Sequence, residues 1–78
     1  MEVRLFAGLR EAHGEDTFQI DVPSFPISVQ DFRLLAEAQC PVLQGKTFQV
    51  ACNTAYAQDS DVLEAADAVA FLPPVSGG

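Results

Sequence analysis

The last eleven residues of the sequence are Ala68-Val69-Ala70-Phe71-Leu72-Pro73-Pro74-Val75-Ser76-Gly77-Gly78. Their apolar first half predicts a β-strand, which would anchor the segment in the body of the protein. Proline fixes φ and has no amide hydrogen, so Pro73 and Pro74 end this strand and favour an extended course away from the sheet. Glycine has no Cβ, and the Gly77-Gly78 pair is therefore narrow enough to thread into the cleft of another protein. We predict a folded domain over residues 1–72 and an extended tail over residues 73–78.

The tail also predicts chemistry at its end. Six residues follow Leu72, and at ~3.3 to 3.6 Å per residue they reach roughly 20 Å. A C-terminal carboxyl group is an anion at neutral pH and a poor electrophile. Gly78 would therefore need activation as an acyl-adenylate before a sulfur nucleophile could convert it to a thiocarboxylate. The simpler alternative is an inert, frayed Gly-Gly end.

Composition favours one packed domain that binds another protein. A chain of 78 residues buries only about 60% of the surface that its unfolded form exposes, so a large internal active site is not expected. The content of 49% hydrophobic and 19% charged residues is that of a folded domain. A net charge of -7 disfavours nucleic acid and anionic membranes and suits a basic protein partner, although an acidic surface also serves solubility alone.

The cysteines predict no metal centre. No stretch of the sequence has the pattern of a signal peptide, and no apolar run approaches the ~18 residues that span a bilayer, so we expect a cytosolic protein. Cys40 and Cys52 should then be reduced thiols. With His13 as the single histidine, these residues do not supply a tetrahedral metal site. We predict that both thiols lie in or near the core.

The first part of the chain predicts a hairpin with an enlarged connection. Residues 2–7 alternate in polarity and predict a strand whose second face carries Phe6. Residues 8–14 are bounded by glycines and form either a short helix or a wide turn. Residues 17–22 alternate again and predict a second strand, with three side chains turned inward: Phe18, Ile20 and Val22.

The middle of the chain predicts one amphipathic helix. Ser28 followed by Asp31 is typical of a capped helix start. The next apolar side chains fall on a single stripe, formed by Val29, Phe32, Leu35 and Ala36, while Gln30, Arg33 and Glu37 face away. Pro41 disfavours helical geometry at Cys40 and should end the helix near Gln39.

The remainder predicts a third strand, a loop and the last strand. Residues 48–52 alternate, and Asn53-Thr54 favours a turn after them. Residues 58–61 are polar and loop-like, and residues 62–66 are consistent with one helical turn. In the last strand, period two places Val69 and Phe71 toward the helix and leaves Ala70 and Leu72 on the opposite face. The fold class is therefore α+β, a sheet with a helix on one face.

Two motifs make the chain similar to the small, sulfur-carrying subunit of molybdopterin synthase (MoaD type), among the ubiquitin-like β-grasp sulfur carriers. They are Leu-Phe-Ala-Gly-Leu-Arg-Glu at residues 5–11, with Gly14, and the segment 69–78, whose Pro-Pro is unusual in thiamine-pathway carriers. This resemblance implies a ubiquitin-like β-grasp fold: a mixed sheet, one main helix on one face and a flexible C-terminal Gly-Gly tail. The chain departs from the family at residues 64–67, where Glu-Ala-Ala-Asp stands in place of a common Asp-Gly-Asp turn.

The resemblance also implies a cycle of sulfur transfer. An adenylating enzyme related to ubiquitin E1 would use ATP to activate Gly78, and a sulfur donor system would convert it to the thiocarboxylate. The tail would then enter the large subunit of molybdopterin synthase, in a heterotetramer of two small and two large subunits, and give sulfur to a pterin precursor. The chain would hold no cofactor stably and would not be catalytic alone. The alternatives are a carrier for thiamine or for tRNA thiolation, a ubiquitin-like modifier, and an interaction module with an inert tail.

The expected site residues fall into two groups. Phe6, beside Ala70 and Leu72 and with Tyr56 as a fourth member, would form an exposed apolar patch that binds a partner. Arg10 would either orient an acidic group of the partner or remain a solvated surface residue. The second group is the tail, with Pro73, Pro74, Val75 and Ser76 contacting the partner and Gly77 leading to the reactive Gly78.

Overall fold

The computed structural model describes residues 1–74, and the expected roles of Val75, Ser76, Gly77 and Gly78 lie outside this range. A 3₁₀ turn spans Pro41–Leu43, and the remaining regular elements are β1 (Glu2–Leu5), α1 (Ala7–His13), β2 (Thr17–Gln19), β3 (Ile27–Ser28), α2 (Val29–Gln39), β4 (Gln49–Cys52), β5 (Ala55–Ala57), β6 (Val62–Leu63) and β7 (Val69–Leu72).

The main sheet has five strands in the order β2-β1-β7-β4-β5. Strands β1 and β7 are parallel, and the other neighbours are antiparallel. Strand β7 is central, with Phe71 opposite Leu5 of β1 and Val50 of β4. The fold is thus an α+β β-grasp with a mixed sheet, as predicted. A separate pair, β3 with β6, lies beside it.

Helix α2 follows the prediction at both ends. The Ser28 hydroxyl oxygen accepts a hydrogen bond from the backbone N–H of Asp31 at 3.1 Å, which satisfies one of the free amides of the first turn. Cys40 has extended backbone angles directly before Pro41, so the helix stops at Gln39. Three of the four predicted stripe residues are buried, Val29, Phe32 and Ala36, and Leu35 is half-buried against the same core.

Phe71 is at the centre of the core. Its ring is fully buried, and its centroid lies 4.6 Å from that of Phe48, 6.0 Å from Phe18 and 6.1 Å from Phe32. Such aromatic pairs stabilise beyond the area that they bury. Arg33, expected to face away from the core, instead covers it: its guanidinium carbon lies 4.4 Å from the Phe48 ring centroid and its Nη1 donates to the Phe48 carbonyl at 2.9 Å. The long, planar side chain of arginine allows this stacking.

The first strand is shorter than predicted. It ends at Leu5, and Ala7, with φ 51°, begins α1. Of the two alternatives for residues 8–14, the structure has the helix. Gly14 ends it with φ 94°, a left-handed conformation that glycine adopts without a Cβ clash, and its N–H donates to the Arg10 carbonyl at 2.8 Å. The hairpin of β1 and β2 with an enlarged connection is confirmed.

The prediction of a helical turn over residues 62–66 is wrong. Val62 and Leu63 form β6, and Leu63 is fully buried whereas Val62 is exposed, which is the alternation of a strand. A turn follows, in which the N–H of Glu64 donates to the Asp67 carboxylate at 2.8 Å. That side-chain bond satisfies the backbone locally and gives Glu-Ala-Ala-Asp a turn without glycine.

Strand β5 was not predicted. Its sequence, Ala-Tyr-Ala, carries two residues that are poor strand formers, and the strand exists because it pairs with β4 across the Asn53-Thr54 turn. Both turn residues have positive φ, 51° and 72°, as a tight hairpin requires. Across residues 1–74, no helix is both long and apolar enough to cross a membrane.

Candidate functional site

Strand β7 separates the core from a second surface. Val69 and Phe71 are buried on the side of α2, while Ala70 and Leu72 are half-buried on the opposite face of the sheet. This alternation is the predicted one. No helix covers the second face within the described part of the chain, because α2 packs on the first.

A groove lies on this uncovered face, with a volume of about 420 Å³. We call it the sheet groove. It crosses four strands and the β4–β5 turn, and it is lined by Arg4, Phe6, Ala51, Thr54, Tyr56, Ala68, Val69, Ala70 and Leu72. Most of these side chains are apolar, and such an apolar concavity on a sheet is typical of a protein interface.

All four residues of the predicted apolar patch line the sheet groove. Phe6, at the junction of β1 and α1, is 38% exposed, and Tyr56, on the edge strand β5, is 59% exposed. Ala70 and Leu72 belong to the central strand between them. The structure therefore brings together residues from distant parts of the chain: Phe6 and Ala70, for example, are 64 positions apart in the sequence.

Arg10 lies outside the groove. It is on α1, and its Nε is 3.8 Å from an Asp16 carboxylate oxygen in an exposed ion pair. Exposed pairs of this kind contribute little to stability, because water screens both charges. Arg10 is therefore solvent-exposed beside its own Asp16, and its contact with an acidic group of a partner stays a prediction.

The tail leaves the sheet next to the groove. Leu72, the last residue of β7, lines it, and Pro73 and Pro74 are exposed immediately beyond. Neither proline belongs to a strand, in line with the missing amide hydrogen. The base of the tail is thus continuous with the groove floor.

Five residues of the groove lining were not predicted as site residues from the sequence: Arg4, Ala51, Thr54, Ala68 and Val69. A signal existed for Arg4, because the alternation of β1 places it on the face of Phe6. It stands directly opposite Ala70 of β7. For Ala51 the signal was the predicted alternation of residues 48–52, which places it on the face opposite to Val50. For Thr54 there was none, because strand β5 and its pairing with β4 were not predicted.

Hydrogen bonds fix one end of the groove. Asn53 donates from Nδ2 to Asp67 Oδ1 at 3.0 Å and accepts from the N–H of Ala68 at 2.9 Å, and its own N–H donates to the Ala68 carbonyl at 2.8 Å. These contacts tie the β4–β5 turn to the entrance of β7. Hydrogen bonds from the backbone of Glu64 and from Asn53 lower the pKa of Asp67 below its usual value. Thr54 and Ala68, both groove residues, are held in place by this arrangement.

The cysteines lie in and beside the core, as predicted. Cys40 is buried, with its Sγ 3.7 Å from His13 Nδ1, and Cys52 is half-buried; both are free thiols. Burial, followed by the hydrogen bond and negative charge of Asp67, raises the pKa of Cys52 and disfavours the reactive thiolate. Residues 1–74 contain no group of three or more metal-binding side chains.

Comparison with known proteins identifies a family. The model of the ThiS family matches residues 3–78. Small archaeal modifier protein 1 of Haloferax volcanii is 31% identical, with a TM-score of 0.81 and coverage of 100% of this chain and 98% of that chain. Its Methanosarcina acetivorans counterpart is 26% identical, with a TM-score of 0.68 over 99% and 94% of the two chains. A complex of subunits 1 and 2 of molybdopterin-converting factor from Helicobacter pylori contains a chain 25% identical, with a TM-score of 0.64 over 99% and 96%.

Proposed function

The chain belongs to the ThiS family, and from this premise we propose that it carries sulfur on Gly78 for the synthesis of molybdopterin. The family and its relatives make the chain a sulfur carrier of ThiS/MoaD type or a ubiquitin-like small modifier. Small carriers of the family are not catalytic on their own. The observation that supports the proposal is an apolar groove whose lining includes Leu72, the residue directly before Pro73-Pro74, in a sequence that continues to Gly77-Gly78.

The proposed chemistry takes place at the carboxyl group of Gly78. A carboxylate oxygen attacks the α-phosphorus of ATP on an adenylating enzyme related to ubiquitin E1, and pyrophosphate leaves. Sulfide supplied by a donor system then attacks the carbonyl carbon, and AMP leaves. The product is a thiocarboxylate, which keeps sulfur in a nucleophilic form and needs no cofactor bound to this chain.

The sheet groove is the proposed docking surface for the large subunit of molybdopterin synthase, in a heterotetramer of two small and two large subunits. Phe6, Tyr56, Ala70 and Leu72 would bury apolar area in that contact, which is the main favourable term in protein association. Pro73, Pro74, Val75 and Ser76 would line the passage to the large subunit's pocket, with Gly77 and Gly78 at its end.

The family resemblance and one comparison favour the molybdopterin pathway. The resemblance implies that the Pro-Pro at residues 73–74 sets this chain apart from the thiamine-pathway carriers that share the Gly-Gly end. A 25% identical chain occurs in a complex of two subunits of a molybdopterin-converting factor. A carrier for thiamine or tRNA thiolation would use the same chemistry and differ only in the acceptor.

The test is intact-mass spectrometry after incubation with ATP, the adenylating enzyme and a sulfide source. We expect replacement of one oxygen by sulfur at Gly78, followed by loss of that sulfur on addition of the large subunit and pterin precursor. Deletion of Gly78, or addition of one residue after it, should abolish both steps and leave the urea unfolding midpoint unchanged. Sulfur transfer by the extended chain would show that the carboxyl group of Gly78 is not the reacting group.

A second candidate function is covalent modification of other proteins. The 31% identity to a small archaeal modifier favours it. In this case a lysine amine would attack the carbonyl carbon of the adenylated Gly78, AMP would leave, and an isopeptide bond would form. The two functions differ in the products: conjugates that survive denaturing electrophoresis and reducing agent indicate a modifier, and transfer of sulfur to the pterin precursor indicates a carrier.

A further inference from the structure

The sheet groove differs in charge from the rest of the protein. The chain carries eleven acidic and four basic residues. Among residues 1–74, however, no carboxylate lines the groove, and the one charged lining residue is Arg4. The other polar side chains of the lining are the hydroxyl groups of Thr54 and Tyr56, which can donate hydrogen bonds. Every polar side-chain group of the groove is therefore able to donate to a carboxylate.

Arg4 has no ion pair within residues 1–74. Two acidic residues, Glu2 and Asp67, line a neighbouring depression together with Arg4, and both are engaged elsewhere. Glu2 accepts a long hydrogen bond from Gln19 at 3.5 Å, and Asp67 accepts from Asn53 and from the backbone of Glu64. The ion pairs of the described chain involve the other two arginines.

The backbone of Arg4 is nevertheless well fixed. It belongs to β1, which pairs with β2 on one side and with β7 on the other, so that Arg4 stands opposite Thr17 and Ala70. Its side chain is exposed on the groove face beside the small Ala70, which leaves room for a partner atom to approach. An unpaired guanidinium that extends from a fixed backbone position at an apolar surface is suited to bidentate binding of one carboxylate.

We propose that Arg4 binds a carboxylate of the large subunit that lies among apolar side chains filling the sheet groove. This inference rests on the proposed function, in which the large subunit occupies the groove. An acidic side chain of the partner is the opposite of what the net charge of this chain suggests. Elsewhere on the surface the surplus of carboxylates would repel this acidic side chain. Its pairing with Arg4 would therefore fix the position of the partner on the groove.

The test compares three variants in binding to purified large subunit by calorimetry at two salt concentrations. Arg4→Met removes the charge and keeps an apolar stem, and Arg4→Lys keeps the charge without the planar fork. Lys46→Met is the matched control, with the same loss of charge at an exposed position outside the groove. Conversion to the thiocarboxylate by the adenylating enzyme is measured in parallel by intact mass, and urea unfolding checks that all variants fold.

We expect Arg4→Met to weaken binding on the order of 30-fold or more, because one partner of a desolvated charge pair is removed. Arg4→Lys should fall between this variant and the wild type, and Lys46→Met should stay within about 2-fold of the wild type. Conversion to the thiocarboxylate should be unchanged in all three. The dependence of binding on salt should be weaker in Arg4→Met than in the wild type.

Other results would overturn the inference. Equal binding by Arg4→Met and Lys46→Met, whether both are intact or both impaired, would leave the proposed function standing and remove any specific role of Arg4. Parallel loss of thiocarboxylate formation in Arg4→Met would assign the arginine to the adenylating enzyme instead. If the wild-type chain acquires no sulfur and does not bind the large subunit, the proposed function fails, and this inference fails with it.

Discussion

Phe71 and Leu72 are adjacent on β7, and their substitution by alanine should affect different properties of the protein. Phe71 is fully buried among three other aromatic rings, whereas Leu72 lines the sheet groove. We predict that Phe71→Ala destabilises the domain severely and that Leu72→Ala preserves the fold and weakens partner binding. The contrast separates the strand's contribution to folding from its contribution to recognition.

The magnitude for Phe71 follows from its burial. Replacing a fully buried phenylalanine by alanine costs about 3–5 kcal/mol, from lost transfer free energy and the cavity left behind. A domain of 78 residues has a free energy of unfolding of roughly 4–12 kcal/mol in total. Phe71→Ala should therefore remove about a quarter or more of the free energy of unfolding. Leu72 is only half-buried, and its truncation should cost about 1 kcal/mol.

Urea denaturation followed by circular dichroism measures both effects. With a slope of about 1 kcal/mol per molar urea for so small a domain, Phe71→Ala should lower the midpoint by roughly 3 M or more, or leave the chain unfolded in buffer. Leu72→Ala should lower it by about 1 M. Similar midpoint shifts for the two variants would contradict the placement of Phe71 in the core and Leu72 in the groove. Unchanged binding of the large subunit by Leu72→Ala would contradict the role of the groove.

Three further predictions concern single side chains. Ser28→Ala should lower the free energy of unfolding by about 1 kcal/mol through loss of the α2 cap, measured by thermal and urea unfolding, with the exposed Ser60→Ala as a control that should change little. The pKa of Asp67 is lowered in the folded state, so its carboxylate stabilises the fold above the ordinary aspartate pKa, and this contribution disappears as the pH falls through the lowered value. Unfolding midpoints between neutral and acidic pH should therefore decline less in Asp67→Asn than in the wild type. Cys52, whose pKa is raised by burial and by Asp67, should react with iodoacetamide more slowly in the native protein than in urea, and equal rates would refute the burial of its thiol.

The sequence predicted the parts of the fold that depend on local patterns. The apolar stripe of Val29, Phe32 and Ala36 predicts which face of α2 is buried. Ser28 and Pro41 predict where the helix begins and ends, because capping and the geometry before proline are local effects. Alternation in β7 correctly separates the two sides of the strand, and the sequence alone places Phe6, Tyr56, Ala70 and Leu72 in one apolar patch, all of which line the sheet groove.

The parts that could not be predicted depend on contacts between distant residues. Strand β5 has two alanines and exists only through its ladder with β4, and β6 is a strand of two residues that needs β3 as its partner. Arg33 was assigned to solvent because its position on α2 is polar, but Phe48, fifteen residues away, offers its ring and carbonyl to the guanidinium. Local sequence carries no signal for such partners.

The two neighbours of β7 explain why the core and the groove depend on one register. With β1 on one side and β4 on the other, Phe71 is fixed opposite Leu5 and Val50, which are both buried. A slip of one residue would move Phe71 to the groove face and turn Ala70 and Leu72 into the core, at a large loss of buried area. The same burial that stabilises the domain therefore holds the groove residues, and the residue where the tail begins, at set positions. In the proposed complex, a large subunit bound at the groove would therefore lie beside Leu72, the residue directly before the tail.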